Sequence, residues 1–240
     1  MFHSALTFDS KRYRLRHDLS QLPEAATPTQ DLAIAERRFA LRQRIGLFQQ
    51  TLERVTPLDH TDNTTSEAST SCPEQWPLWL PSSLPLESRS PGSLFERLGI
   101  IEQQLRFAQA SDTIADICRC LCVRSHLHRY KHMQVHGQRQ NTRANALLQN
   151  VEKKIAANAS RYRRARDAYM ALRNGADVDE LKPLEDADIR PLGDALDSSH
   201  RQGGSLGEGR RTVSWIWMRQ GSVESEHNEG KSYNLLPLII

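Results

Sequence analysis

The sequence predicts an all-α protein built on an elongated, coiled-coil-like antiparallel helical hairpin from Ser93 to Asn174, with an extra N-terminal helix packed alongside. Apolar residues recur at alternating spacings of three and four along two long stretches. A short segment containing Gly137 joins these stretches, as in an antiparallel helical pair. The composition agrees, because 38% hydrophobic and 6% aromatic residues with a mean hydropathy of -0.61 leave little material for a thick core.

The first hairpin helix is predicted to begin after Ser93. Ser93 is a suitable N-cap and Glu96 stands at the third helical position, which is a capping-box pattern. The apolar seam then resumes after an interruption near Asp112, so one helix should reach about Tyr130 to His132. The predicted seam consists of Leu94, Leu98, Ile101, Leu105, Ala108, Ile114, Ile117 and Leu121.

The second hairpin helix has a longer and more regular seam, and Asn174-Gly175 provides a good helix stop after it. Its predicted seam consists of Leu148, Val151, Ile155, Ala159, Tyr162, Ala165 or Arg166, Tyr169 and Leu172.

Five segments are predicted along the chain. Residues 1–56 form an N-terminal helical segment whose helix, Asp31 to Val55, has apolar residues near helical spacing. Residues 57–92 form a Pro- and Ser-rich linker in which Trp76 and Trp79 are expected to dock on the helices. The hairpin occupies 93–174, an acidic segment with a Trp-containing element follows at 175–218, and 219–240 is predicted to be a disordered tail. For "RRTVSWIWM", a strand and a helical turn both remain open.

Positive charge is concentrated in the hairpin. The stretch Ile117 to Arg166 holds twelve Lys and Arg and one acid, Glu152, so its net charge is +11 while the rest of this +3 chain carries -8. Such an excess suits a polyanion such as DNA. The alternative is that these side chains only solvate outer helix faces. The candidate nucleic-acid-binding residues, expected to crowd around one end of the hairpin, are Arg119, Arg124, Arg129, Lys131, Arg139, Arg143, Lys153, Lys154, Arg161, Arg163, Arg164 and Arg166.

A crowded group of cysteines and histidines precedes the turn. Cys118, Cys120 and Cys122 are followed by four histidines, His126, His128, His132 and His136. Residues two apart on a helix project to different sides, unlike the knuckles of structural zinc sites. Cys118, Cys122 and His126 share a face, but one helical stripe does not enclose a metal. We therefore expect free thiols and neither a metal nor another cofactor.

No pattern predicts catalysis. The acids Asp177, Asp179, Glu180, Glu185, Asp186 and Asp188 surround prolines and favour a solvated cap over a paired-carboxylate site. Phosphate-binding loop motifs are absent from the sequence. We expect a protein that is not an enzyme, has no small-molecule substrate and makes no membrane contact. We also expect it to be intracellular, not secreted, and nuclear if it binds DNA.

Four stretches carry a family resemblance: "RYRLRHDL", "LWLPSSLP", the block "LRFAQASDTIADICRCLCVRSHLHRYKHMQVHGQRQNTRA", and "GEGRRTVSWIWM". From about Arg12 to Met218 the chain resembles the C-terminal region of the fungal KDZ (Kyakuja, Dileera and Zisupton) transposases. Its most specific matches are Leu105, Arg106, Gln109, Ala110, Asp112, Tyr130, Lys131, Gly137, Gln138, Asn141, Thr142 and Arg143.

The resemblance implies a transposon-derived protein without catalytic activity. In that family the acidic catalytic core and a cysteine cluster lie upstream of the matching region, and neither is found in this sequence. The expected function is non-specific DNA binding through the basic hairpin. Two alternatives are a coiled-coil oligomerisation module that uses Leu94 to Ala108, and a truncated relic with no selected function.

Overall fold

The computed structural model describes residues 2–20, 27–55, 72–76, 78–85, 89, 94–173, 180–192 and 213–219. Within these ranges the chain is helical and contains no strand, which confirms the predicted all-α class. The long helices are α1 (Phe2–Ser20), α2 (Pro28–Val55), α3 (Leu94–Gln134) and α4 (Gln138–Leu172). Short 3-10 turns occupy Pro73–Gln75, Pro81–Ser83 and Asp186–Asp188. Helices α3 and α4 pack against each other as the predicted hairpin.

Local signals explain where the helices begin and turn. At the start of α2, the Thr27 backbone N–H donates to Gln30 Oε1 at 2.9 Å, and Pro28 occupies the first helical position. Between α3 and α4 the chain reverses over Val135–Gly137, where Gly137 has a φ of +86°. A left-handed backbone of this kind favours glycine, and Gly137 lies in the segment that joins the two hairpin helices, as predicted. The predicted stop at Asn174-Gly175 lies outside the described residues.

The chain divides into two compact units. The first comprises Met1–Gln109 with Arg164–Leu181, and the second comprises Ala110–Arg163 with Lys182–Ile240. In the first unit, α1 and α2 contact each other around a hydrophobic core. Trp76 and Trp79 pack against this core, which confirms their predicted docking. The buried members are Ala5, Leu6, Leu15, Leu41, Ile45, Phe48, Leu52, Leu78 and Leu80.

Helix α1 was not predicted, because the expected N-terminal helical segment had a single helix, Asp31 to Val55. Its inward-facing residues include Leu15 and also Arg12, whose side chain is buried and donates from Nε to the Glu74 carbonyl at 3.3 Å. Burial lowers the pKa of the Arg12 guanidinium despite the opposing influence of Asp9. An arginine in the middle of the buried stripe interrupts the apolar periodicity from which helices are predicted.

The seam predicted for the start of α3 is correct only in part, because Leu98 and Leu105 pack against the core but other members do not. Ile101 is 46% exposed and Ala108 is also exposed, whereas Phe95, Glu102 and Arg106 are buried. The buried face therefore includes a charged pair that a count of apolar residues does not find. In α2 the apolar spacing marks a buried face in the second half of the helix only. Leu32 and Phe39, in the first half, are each 62% exposed.

The second unit follows its predicted seams. Ile114, Ile117 and Leu121 of α3 are buried, as are Leu148, Ile155, Ala159 and Tyr162 of α4. The Trp-containing element resolves as a short helix at residues 215–219, so the strand alternative is wrong. Ile216 is fully buried within it, and the Trp215 ring lies 6.1 Å from that of Tyr162. The tail beyond residue 219 and much of the linker lie outside the described residues.

Candidate nucleic-acid interface

Four of the predicted cations surround the hairpin turn. Arg129 and Lys131 lie at the end of α3, and Arg139 and Arg143 lie at the start of α4. The three arginines are exposed, and Lys131 Nζ donates to Asn145 Oδ1 at 2.6 Å across the hairpin. We call these four residues the turn cluster. They present positive charge on both helices next to a tight turn, which suits an anionic surface.

Four other predicted cations lie further from the turn. Lys153 and Lys154 are exposed on α4, but Arg124 is largely covered and donates to Glu152 Oε1 at 3.1 Å. Arg124 thus engages the single acid of the basic stretch. Arg119 pairs with Asp116 at 2.8 Å, an acid just outside that stretch. Lys153 and Lys154 are exposed cations about 15 Å beyond Arg143 along α4, whereas Arg119 and Arg124 already have acidic partners.

The last four cations do not join the cluster, so the expectation that all twelve crowd around one end of the hairpin is wrong. At a rise of about 1.5 Å per residue, Arg161 lies roughly 35 Å along α4 from Gly137. Arg163 Nε donates to the Leu184 carbonyl at 3.0 Å, and its Nη2 pairs with Asp186 at 2.6 Å.

Arg164 and Arg166 belong to the other unit and also make structural contacts. The Arg164 guanidinium lies 3.9 Å above the Tyr13 ring, and Arg166 Nε donates to the Leu181 carbonyl at 2.9 Å. Their side chains, like those of Arg161 and Arg163, are partly buried. Arg163 and Arg166 hold the segment after α4, and Arg164 contacts α1. These contacts were not predicted, because the partners are distant in the chain or belong to its least regular segments.

The turn also exposes apolar and aromatic side chains. Tyr130 is 59% exposed and Met133 67% exposed, both among the cations of α3. His126, His128, His132 and His136 are likewise exposed. A basic surface with an accessible ring can contact phosphate through charge and bases through stacking.

The cysteines do not form a ligand set with these histidines. Cys118 is 1% exposed, and its Sγ donates to the Ile216 carbonyl at 3.6 Å. Burial, and then the neighbouring Cys122, raises the pKa of the Cys118 thiol to about 12, so it stays protonated, whereas a metal ligand must be a thiolate. Burial also raises the pKa of Cys120. In the described ranges no three His, Cys, Asp or Glu residues are grouped to hold a metal ion.

The acidic residues after α4 have local partners. The Tyr169 hydroxyl donates to Glu180, and Asp186 pairs with Arg163. Glu185 and Asp188 form a reciprocal capping box on the Asp186–Asp188 turn. These carboxylates therefore stabilise the local backbone. Asp177 and Asp179 lie outside the described residues.

No family model matches the chain, and comparisons with curated proteins and with solved structures found no match either. Among the helices that the structure describes, none has the length and apolar character to cross a membrane.

Proposed function

We propose that this chain is a non-catalytic, transposon-derived protein, similar to the C-terminal accessory region of KDZ transposases, that binds DNA non-specifically through the turn end of its hairpin. The observation that carries this proposal is the turn cluster, in which the three arginines are exposed and pair with no carboxylate among the residues that the structure describes. Glu152, the only acid between Ile117 and Arg166, is bound by Arg124 instead.

Binding would be driven by phosphate neutralisation. Each Lys or Arg that contacts a phosphate releases condensed counterions, so affinity should fall steeply as salt rises. Arginine suits this role because its planar fork donates two parallel hydrogen bonds to phosphate oxygens. The described residues present no motif that would place side chains against base edges, so we expect little sequence preference.

The test is fluorescence-polarisation binding of a labelled random duplex across a salt series. The turn variant, Arg129→Gln, Arg139→Gln and Arg143→Gln, should bind more weakly and should lower the slope of log affinity against log salt by about 2 to 3. A charge-matched control variant changes three exposed cations elsewhere, Arg54→Gln, Arg97→Gln and Lys182→Gln. Equal slopes for the wild type and the turn variant, or no binding at low salt, would contradict the proposal.

A second candidate function is self-association through α3. Ile100 is 55% exposed and Ile101 46% exposed, so adjacent apolar residues remain uncovered on this helix. Light scattering over a range of concentrations should then give twice the monomer mass of 27.4 kDa, and Ile101→Glu should restore the monomer. A constant monomer mass would eliminate this candidate.

A further inference from the structure

A cleft between α1 and α2 gathers positive charge away from the hairpin turn. Its volume is about 280 Å³. Lys11, Arg14 and Leu15 of α1 line one side, and Arg37, Ala40, Leu41 and Arg44 of α2 line the other. All four cations are exposed, and the lining contains no carboxylate.

Within the described part of the chain, Arg37 is the one cation of this cleft that is paired with a carboxylate. Arg37 Nη1 pairs with Asp18 at 2.7 Å, and Asp18 lies outside the lining. Lys11 and Arg14 are three residues apart on α1, and Arg37 and Arg44 lie two turns apart on α2, so like charges share helix faces. The spacing of Lys11 and Arg14 is unfavourable by itself, because like charges three residues apart on a helix repel each other. A bound anion would relieve the repulsion.

The form of the cleft distinguishes among anions. Leu15 and Leu41 of the lining are each only 4% exposed, so its accessible surface comes mainly from Ala40 and from the side chains of the four cations. An acidic amphipathic peptide would need a groove lined by several exposed apolar side chains for its anchors. The cations are spread over two turns of α2, about 10 Å at 1.5 Å per residue, which exceeds the span of one oxyanion. A ligand with several adjacent charges fits this span.

We infer that the cleft between α1 and α2 binds an anion with two or more adjacent phosphate groups. Lys11, Arg14 and Arg44 donate to the phosphate oxygens, and Arg37 joins them when it leaves Asp18. The source of this chemistry is either a free polyphosphate-bearing small molecule or successive phosphates of a nucleic-acid strand. The inference does not rest on the proposed function, because no residue of the turn cluster lines the cleft.

The experiment is calorimetric titration of the full chain with inorganic tripolyphosphate at about 20 mM salt, where surface charges are weakly screened. The cleft variant, Lys11→Gln, Arg14→Gln and Arg44→Gln, should bind about tenfold more weakly or worse, because three charge-assisted hydrogen bonds are lost. The turn variant removes the same charge and should keep wild-type affinity. Circular dichroism of each variant verifies that the helices are retained.

A variant that is expected to bind more tightly distinguishes an effect on binding from a folding defect. Asp18→Asn removes the carboxylate that holds Arg37, so tripolyphosphate should bind about threefold more tightly. A damaged cleft would not produce such a gain.

Competition then identifies the source of the phosphates. If a single-stranded oligonucleotide displaces tripolyphosphate from neither wild type nor the turn variant, the cleft binds a free polyphosphate-bearing molecule. If it displaces tripolyphosphate from both proteins, a nucleic-acid strand occupies the cleft. The inference is overturned if wild type does not bind tripolyphosphate, if the cleft and turn variants lose affinity equally, or if polyglutamate binds more tightly than tripolyphosphate.

Discussion

Glu102 and Arg106 show how charged residues take the place of apolar ones inside a helical core. Glu102 is fully buried and accepts from the Ser82 backbone N–H at 2.9 Å and from its hydroxyl at 2.6 Å. Arg106 Nε donates to Glu102 at 3.1 Å, and its Nη1 pairs with Asp9 at 3.3 Å. Every charge in this network has a partner, as burial requires.

Replacing Glu102 should therefore destabilise the protein strongly. Among the described residues, Glu102→Ala leaves Asp9 as the only carboxylate partner of Arg106, and it removes both acceptors of Ser82. We therefore expect a loss of about 3 to 5 kcal/mol in the free energy of unfolding. Urea denaturation measures this loss. The exposed pair of Asp116 and Arg119 is the control, and Arg119→Ala should cost less than about 1 kcal/mol. Similar losses at the two sites would refute the structural role of the network.

Cys118 should make stability depend on pH in the alkaline range. Its folded pKa is about 12, raised from 9.0 by burial, so folding favours the protonated thiol. The stabilisation is complete below about pH 9 and is lost as pH rises toward 12, because the unfolded thiol ionises first. The free energy of unfolding should fall more steeply from about pH 8 to 10.5 in wild type than in Cys118→Ala. Parallel pH curves would contradict this assignment.

Among the elements, α3 and α4 differ in how well periodicity describes them. The seam of α4 is apolar throughout, so Leu148, Ile155 and Tyr162 were predicted correctly. The start of α3 buries Glu102 and Arg106 while Ile101 faces solvent, so apolar spacing identifies only part of the buried face. Periodicity locates a helix reliably, but it identifies the buried face only when that face is apolar.

Replacement by alanine should have opposite effects on stability at Gly137, in the hairpin turn, and at Gly46, inside α2. At Gly137 the φ of +86° opposes any Cβ, so Gly137→Ala should cost about 1 kcal/mol or more. At Gly46, inside α2, an added Cβ meets nothing within 4 Å, so Gly46→Ala should stabilise the protein by about 0.5 to 1 kcal/mol. Urea denaturation of both variants measures the change in the free energy of unfolding, which should be negative for Gly137→Ala and positive for Gly46→Ala. A stabilising Gly137→Ala would mean that the turn has another conformation.

At the scale of the whole molecule, charge is strongly segregated. The stretch Ile117 to Arg166 has a net charge of +11 in a chain whose total is +3. Positive side chains along two neighbouring helices repel each other and destabilise the folded state. The same repulsion makes the hairpin receptive to a polyanion.

Salt should consequently stabilise the protein in the absence of a ligand. Raising NaCl from about 20 to about 300 mM screens the repulsion and should increase the Tm by a few degrees. The turn variant has fewer like charges, so its increase should be smaller. A Tm that falls with salt would show that favourable ion pairs, such as Arg124 with Glu152, outweigh the repulsion.

The sequence by itself determined the helical class, the two hairpin helices, the turn at Gly137 and the basic character of that turn. These features depend on periodicity, turn chemistry and charge, which are local properties of the chain. Only the tertiary structure decided which face of α3 is buried, because Arg106 meets Asp9, 97 positions earlier. It also showed that Arg163 and Arg166 donate hydrogen bonds to backbone carbonyls, and that Lys11 and Arg44 line the same cleft. Contacts between distant residues follow from packing, and no local pattern encodes them.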